Sequence, residues 1–181
     1  MSEFLRREIA GKTLSPGTAI GLHKLLYQSG AVIQTRGRNG NMVAIPPGAW
    51  RQRELTPTTS HPWMGPWYFS CSSPANIEAD LCQIIAAFNK IIHPRREDIL
   101  RFYFEFMRVH PFADANGRTA ALLADALCAR HGLQPLTMLA YRFVGGKFFF
   151  HQIFGRFESD PSDSGLASIL QEIDAFNQGS G

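Results

Sequence analysis

Along "SSPANIEADLCQIIAAFNKII" apolar residues return every three or four positions, and Ile77, Leu81, Ile84, Ile85, Phe88 and Ile92 share one face. That spacing predicts an amphipathic helix lying on a surface. The next segment, "PRREDILRFYFEFMRVH", opens with Pro94 and acidic residues, then carries Ile99, Phe102, Phe104, Phe106 and Met107 around nearly all sides. A helix that is apolar all round must be covered, so this one is expected at the centre of the fold. "RTAALLADALCARHG" follows, with small residues on one face for close helix packing and Gly132 as its C-cap.

Earlier, "LSPGTAIGLHKLLYQSG" predicts a first helix: Ser15 can cap it, Pro16 suits the first turn, and Ile20, Leu22, Leu25 and Leu26 form its apolar face before Gly30. His23, inside that helix, is expected to be a satisfied packing residue. Two last helices are predicted in "GGKFFFHQIFGRF" and "SGLASILQEIDAF". Residues 31–70 change period. "AVIQTRGRNGNMVAI" sets Asn-Gly between short β-prone runs, and "RELTPTTSHPWMGPWYFS" sets a Pro- and Gly-rich turn between two more, so two short hairpins are expected. The fold class is all-α, one domain decorated by two hairpins that cover or receive something rather than build a core.

Length and composition narrow this only a little. A chain of 181 residues suits one core-bearing domain, and 45% apolar with 18% charged residues excludes a disordered chain. A formal charge of +3 without a basic run does not indicate a nucleic-acid partner, and no charge-free apolar segment reaches membrane-spanning length. "MSEFLRREIA" lacks a signal-peptide core, which predicts a cytoplasmic protein, with delivery into a host cell still open. Cys71, Cys82 and Cys128 are widely spaced and read as core thiols.

The chemistry is concentrated in "RVHPFADANGRTAALLADALCARHG". His110 falls at the end of the buried helix, Asp114 in the connecting loop, and Asn116, Gly117 and Arg118 at the start of the next helix. Backbone N–H groups and the dipole at a helix start make an anion site, Gly117 allows close approach, and Arg118 adds a charged fork. Asp114 is a hard oxygen ligand for Mg²⁺, and His110 can take a proton from a hydroxyl near neutrality. The plainer alternative is a capped interhelical turn with His110 bonded to the backbone.

"HPFADANGR" resembles the signature of the Fic family, histidine-x-Phe-x-Asp/Glu-Gly-Asn-Gly-Arg-x-x-Arg, within the wider Fic/Doc superfamily. "SPGTAIGLHKLLY", "PGAWR" and "SSPANIEADL" fall in the family's order, so the resemblance covers residues 14–175 of a single domain spanning 1–181. It implies a Fic fold and transfer of AMP from ATP to a Ser, Thr or Tyr hydroxyl of a target protein. By that resemblance His110 is the base, Asp114 holds Mg²⁺, Asn116 and Gly117 shape the anion hole, Arg118 binds nucleotide phosphates, and Phe112 anchors the loop in the core. It also implies a β-hairpin flap that adds the target as a strand, for which residues 51–70 are the candidate. Trp50, Trp63 and Trp67 are expected to pack under that hairpin rather than touch the target.

Two positions depart from the signature: Ala115 replaces the first glycine and Ala121 the last arginine. Both are similar to Doc, the branch that moves the γ-phosphate of ATP, yet Doc carries lysine where this chain has Gly117. Gly117 favours nucleotidyl transfer, whereas the missing arginine removes a charge-assisted contact of about 1.5–3 kcal/mol. A Doc-like kinase, transfer of UMP or phosphocholine, and a degenerate binding module are the alternatives, with a helical nucleic-acid module last. The family's inhibitory helix, Ser/Thr-x-x-x-Glu-Gly/Asn, has one partial counterpart at Ser168–Glu172, followed by Ile173, and it is expected to be an ordinary amphipathic helix. A toxin paired with a separate antitoxin, an injected effector and a housekeeping modifier are all compatible with the chain.

Overall fold

The computed structural model describes residues 13–27, 33–36, 41–54, 58–61, 65–68, 70–138 and 146–179. Among them are six helices and two hairpins: α1 (Pro16–Leu25), β1 (Ile33–Arg36), β2 (Met42–Ile45), β3 (Thr58–His61), β4 (Gly65–Tyr68), α2 (Ile77–Asn89), α3 (Arg96–Val109), α4 (Asn116–Arg130), α5 (Gly146–Ser159) and α6 (Asp163–Gly179). The helical class and both hairpins are as expected from sequence. β1 and β2 pair antiparallel from Ile33↔Ile45 to Arg36↔Met42, and β3 and β4 from Thr58↔Tyr68 to His61↔Gly65. The tips of both hairpins, Trp63, and the side chain of Trp67 lie outside the described residues.

α3 is the central helix. Ile99, Leu100, Phe102, Tyr103, Phe104, Phe106, Met107 and Val109 are all buried along it, and it packs against α2, α4 and α6. Asp98 accepts the backbone N–H of Arg95 at 2.8 Å and so satisfies one orphan donor at its start. Phe104 packs on Phe154 and Phe157 of α5, with the Phe157 ring stacked at 4.8 Å. Arg96 grips Asp174 of α6 with both terminal nitrogens, at 2.7 and 2.8 Å, a fork that ties the last helix to the central one. Ala120, Ala121 and Ala124 of α4 are buried, and α4 packs against both α3 and α1.

Two sequence expectations are corrected. The apolar face of the second long helix was expected to include Ile92, but α2 ends at Asn89 and Ile92 is 82% exposed, because three residues past the helix the 3.6-residue period no longer sets its direction. Of the three cysteines expected in the core, Cys128 is buried and Cys71 half-buried, whereas Cys82 is exposed on the outer face of α2. Burial raises the thiol pKa of both Cys71 and Cys128 to about 11, so neither is a thiolate at neutral pH.

Candidate active site

The chain turns between α3 and α4 through residues 110–115, and the turn begins and ends in a left-handed conformation. His110 has φ 49 and ψ 57, and Ala115 has φ 58 and ψ 13. Neither is glycine, so both positions hold backbone that an L-residue adopts at a cost. Such a cost is sustained only where the surroundings over-determine the conformation.

Those surroundings grip the loop from several directions. Asn116 is buried and closes the turn on itself: its Oδ1 accepts the Phe112 N–H at 2.8 Å, and its Nδ2–H donates to the Phe112 carbonyl at 2.8 Å. Phe112 is fully buried, with its ring stacked 3.9 Å from His23 and further contacts to Trp50 and Phe106. His23 is fully buried and both its nitrogens are used. The Gly48 N–H donates to Nδ1 at 2.9 Å, which fixes Nε2 as the protonated nitrogen that meets the Asp114 carbonyl at 3.2 Å. Gly48 sits at φ 85, a left-handed conformation that favours glycine.

His23 is therefore the satisfied packing residue expected from sequence, and it is kept neutral. Burial holds its pKa below the ordinary imidazole value, against the opposing pull of the Asp114 carbonyl and carboxylate. An unfolded chain takes up a proton near pH 6.5 that the folded His23 refuses. Stability from this residue is complete above that pH and is lost as pH falls towards the lower folded value. A single such group gives a slope of at most about 1.4 kcal/mol per pH unit. Urea midpoints measured between pH 7.5 and 5.5 are expected to fall for the wild type, and to fall less steeply for His23→Asn.

The chemical groups stand around this braced loop. His110 is half-buried, and its Nδ1 lies 3.2 Å from the Met107 carbonyl. A carbonyl can only accept, so Nδ1 carries a proton, and in the neutral ring the lone pair is on Nε2. Asp114 is exposed; its Oδ2 accepts the Tyr27 hydroxyl at 2.7 Å and an Arg118 N–H at 3.2 Å. Partial desolvation by its neighbours opposes the charge on Asp114, but the Tyr27 hydroxyl, the Ala115 N–H and Arg118 outweigh it and hold the carboxyl below its usual range. The Arg118 guanidinium also lies 5.8 Å from the Tyr27 ring centre. Tyr27 is correspondingly hard to ionise, its pKa pushed up to about 12 by burial and by the carboxylate it serves.

α4 starts immediately behind these groups. Its first i→i−4 bond runs from the Thr119 N–H to the Ala115 carbonyl at 2.9 Å, so the amides of Gly117 and Arg118 precede the helical ladder. His110, Asp114, Asn116, Gly117 and Arg118 are thus brought to one turn and one helix start. Asn116 acts by shaping the turn, since both polar atoms of its amide are engaged with Phe112. Ala121 is buried among apolar residues and offers no charge where the signature has arginine. Ala115→Gly is expected to relieve the left-handed strain and stabilise the protein by up to about 1 kcal/mol, measured as a higher denaturant midpoint at unchanged slope.

Among the described residues no three His, Cys, Asp or Glu side chains cluster to hold an ion by themselves. A single exposed carboxylate, charged at neutral pH, suits Mg²⁺, which is commonly held by one or two carboxylates together with substrate phosphates. Sequence reasoning missed Tyr27 and Arg51, the second of which donates its Nε–H to the His110 carbonyl at 2.7 Å. Arg51 lay inside "PGAWR", and the signal available there was a charged side chain beside a tight glycine turn. Glu172 and Ser168 of the partial inhibitory pattern both meet Arg156 of α5, so that segment is engaged within the helical body.

The Fic/DOC family model matches residues 13–128, which include His23, Tyr27, Arg51, His110, Asp114, Asn116, Gly117 and Arg118. The chain belongs to the Fic/DOC family, and the membership supports a Fic-type transferase in general terms. Among solved structures it is similar to a Fic domain containing signaling protein from Bacteroides thetaiotaomicron, with 18% identity and a TM-score of 0.62 over 97% of this chain. At that identity the likeness concerns the fold, and this chain spans 63% of that protein's length. No curated protein matches the chain. Among the described residues no helix is long and apolar enough to cross a membrane.

Proposed function

We propose that the chain transfers AMP from ATP to a Ser, Thr or Tyr hydroxyl of a target protein. The observation that carries this is the placement of His110, with Nδ1 committed to Met107, on the same braced turn as Asp114 and directly before α4, whose first turn carries Arg118 in contact with Asp114. Nε2 takes the proton as the acceptor oxygen bonds to the α-phosphorus, and the bond from that phosphorus to the β-phosphate oxygen breaks to release pyrophosphate. The Gly117 and Arg118 amides and the positive end of α4 stabilise the anionic oxygens, and the Arg118 fork holds the phosphate chain.

Asp114 would hold Mg²⁺, whose charge offsets that of the phosphates during transfer. To take up either ligand, Asp114 and Arg118 must exchange their bond with each other for bonds to Mg²⁺ and phosphate. The β3–β4 hairpin within residues 51–70 would receive the target segment along a strand edge. A separate antitoxin remains compatible with this role, because the Ser168–Glu172 segment is committed to Arg156.

A Doc-like transfer of the γ-phosphate is the second reading, favoured by Ala115 and the uncharged Ala121. Incubation of the protein with Mg²⁺, a cell lysate and ATP labelled at the α- or the γ-phosphate separates the two. Label on protein from the α position is the expected result. Label from γ alone would replace AMP transfer by phosphoryl transfer.

A further inference from the structure

The guanidinium of Arg51 is among the largest fully buried groups, at 2% exposure, and its hydrogen bonds run to backbone carbonyls. Nε–H donates to His110 at 2.7 Å and one terminal nitrogen to Arg53 at 2.6 Å, while the other reaches Ser72 and, at 3.4 Å, Val109. The Arg51 backbone N–H adds a bond to the Pro111 carbonyl at 2.9 Å, and the Ser72 N–H donates to the Arg108 carbonyl at 3.2 Å. A buried cation is tolerated here because the last carbonyls of α3 form the negative end of that helix.

Capping α3 would need only the Val109 and His110 carbonyls. The remaining bonds lead elsewhere: Arg53 lies on the chain entering β3, and Ser72 on the chain leaving β4. One planar fork therefore joins Arg53 and Ser72, on the segments that flank the β3–β4 hairpin in sequence, to the carbonyl of the histidine.

We propose that Arg51 is a positioning residue that fixes the β3–β4 hairpin relative to His110, and so sets where an acceptor hydroxyl docked on the hairpin meets the base. This inference rests on the proposed transfer reaction for its consequence, but its structural content stands without it. Arg51→Lys keeps the charge and loses the fork; Arg51→Gln removes the charge as well, and serves if the lysine variant does not fold.

Two readouts decide. Amide hydrogen exchange across residues 58–68 is expected to quicken by about tenfold or more, while amides in the middle of α3 and α4 keep their protection. Label transfer to the acceptor is expected to fall at least about tenfold, since small misplacement of reacting groups is enough for that loss, while affinity for Mg·ATP stays within about twofold. Unchanged hairpin protection, a uniform loss across α3, α4 and the hairpin, parallel losses of Mg·ATP binding and transfer, or failure of both variants to fold would each overturn the proposal by making Arg51 a stabilising cap alone. If the wild type transfers no label, the exchange experiment decides by itself, which keeps failure of the transfer reaction distinct from failure of this inference.

Discussion

Replacing His110 by asparagine is expected to lower AMP transfer by between about 10²- and 10⁴-fold, the range lost when a general base is removed. Asparagine is the informative choice because the position is left-handed, with φ 49, and asparagine tolerates that region better than most residues. The Asn116 clamp, the buried Phe112 ring and the His23 contact to Asp114 do not involve the His110 side chain. The variant should therefore unfold within a few degrees of the wild type. Single-turnover incorporation of α-labelled ATP, read beside a thermal melt, checks both halves. Activity within a few-fold of wild type would remove His110 from the chemistry.

Phe112→Ala is expected to have the largest effect on stability, about 3–5 kcal/mol, the usual cost of deleting a fully buried aromatic side chain. Its ring stacks on His23 at 3.9 Å and contacts Trp50 and Phe106, so the cavity would open directly beneath the active turn. His23, Trp50 and the loop backbone would lose the surface that holds them in register. Urea unfolding is expected to give a much lower midpoint, with transfer lost at temperatures where the wild type still works. A loss below about 1 kcal/mol would mean that the loop is held by its hydrogen bonds alone, without the aromatic anchor.

Much of this architecture was legible because it is local. The all-round apolar pattern of Ile99 to Met107 forces a covered helix, and α3 is that helix. Asn116, Gly117 and Arg118 were read as a helix start, and α4 begins at Asn116. The groups that brace the turn were harder to see because their partners are far away in sequence. His23 meets the Asp114 carbonyl across 91 positions, Tyr27 meets the Asp114 carboxylate across 87, and Arg51 meets the His110 carbonyl across 59. Nothing in the local period of α1 marks Tyr27 as a hydrogen-bond donor to a loop that follows α2 and α3 in the sequence. Ile92 and Cys82 differ from expectation for another reason: Ile92 lies past the end of α2, and Cys82, expected in the core, falls on the side of α2 that is left uncovered.

The two departures from the family signature have different physical weight. Ala115 occupies a left-handed position that glycine fills at no steric cost, so its effect falls on strain and stability. Ala121 is buried with the core and carries no charge, so in the proposed transfer reaction its effect falls on how firmly the distal phosphates would be held. Weak binding of Mg·ATP with an intact transfer step is the combination expected from these two residues together.

The most direct measurement is the mass of an acceptor protein after incubation with ATP and Mg²⁺, followed by peptide mapping, with wild-type enzyme and with His110→Asn in parallel. An adenylyl group on a Ser, Thr or Tyr side chain, formed by the wild type and absent with the variant, is the predicted result. A phosphoryl group in its place, or an adenylyl group that forms equally well without His110, would contradict it.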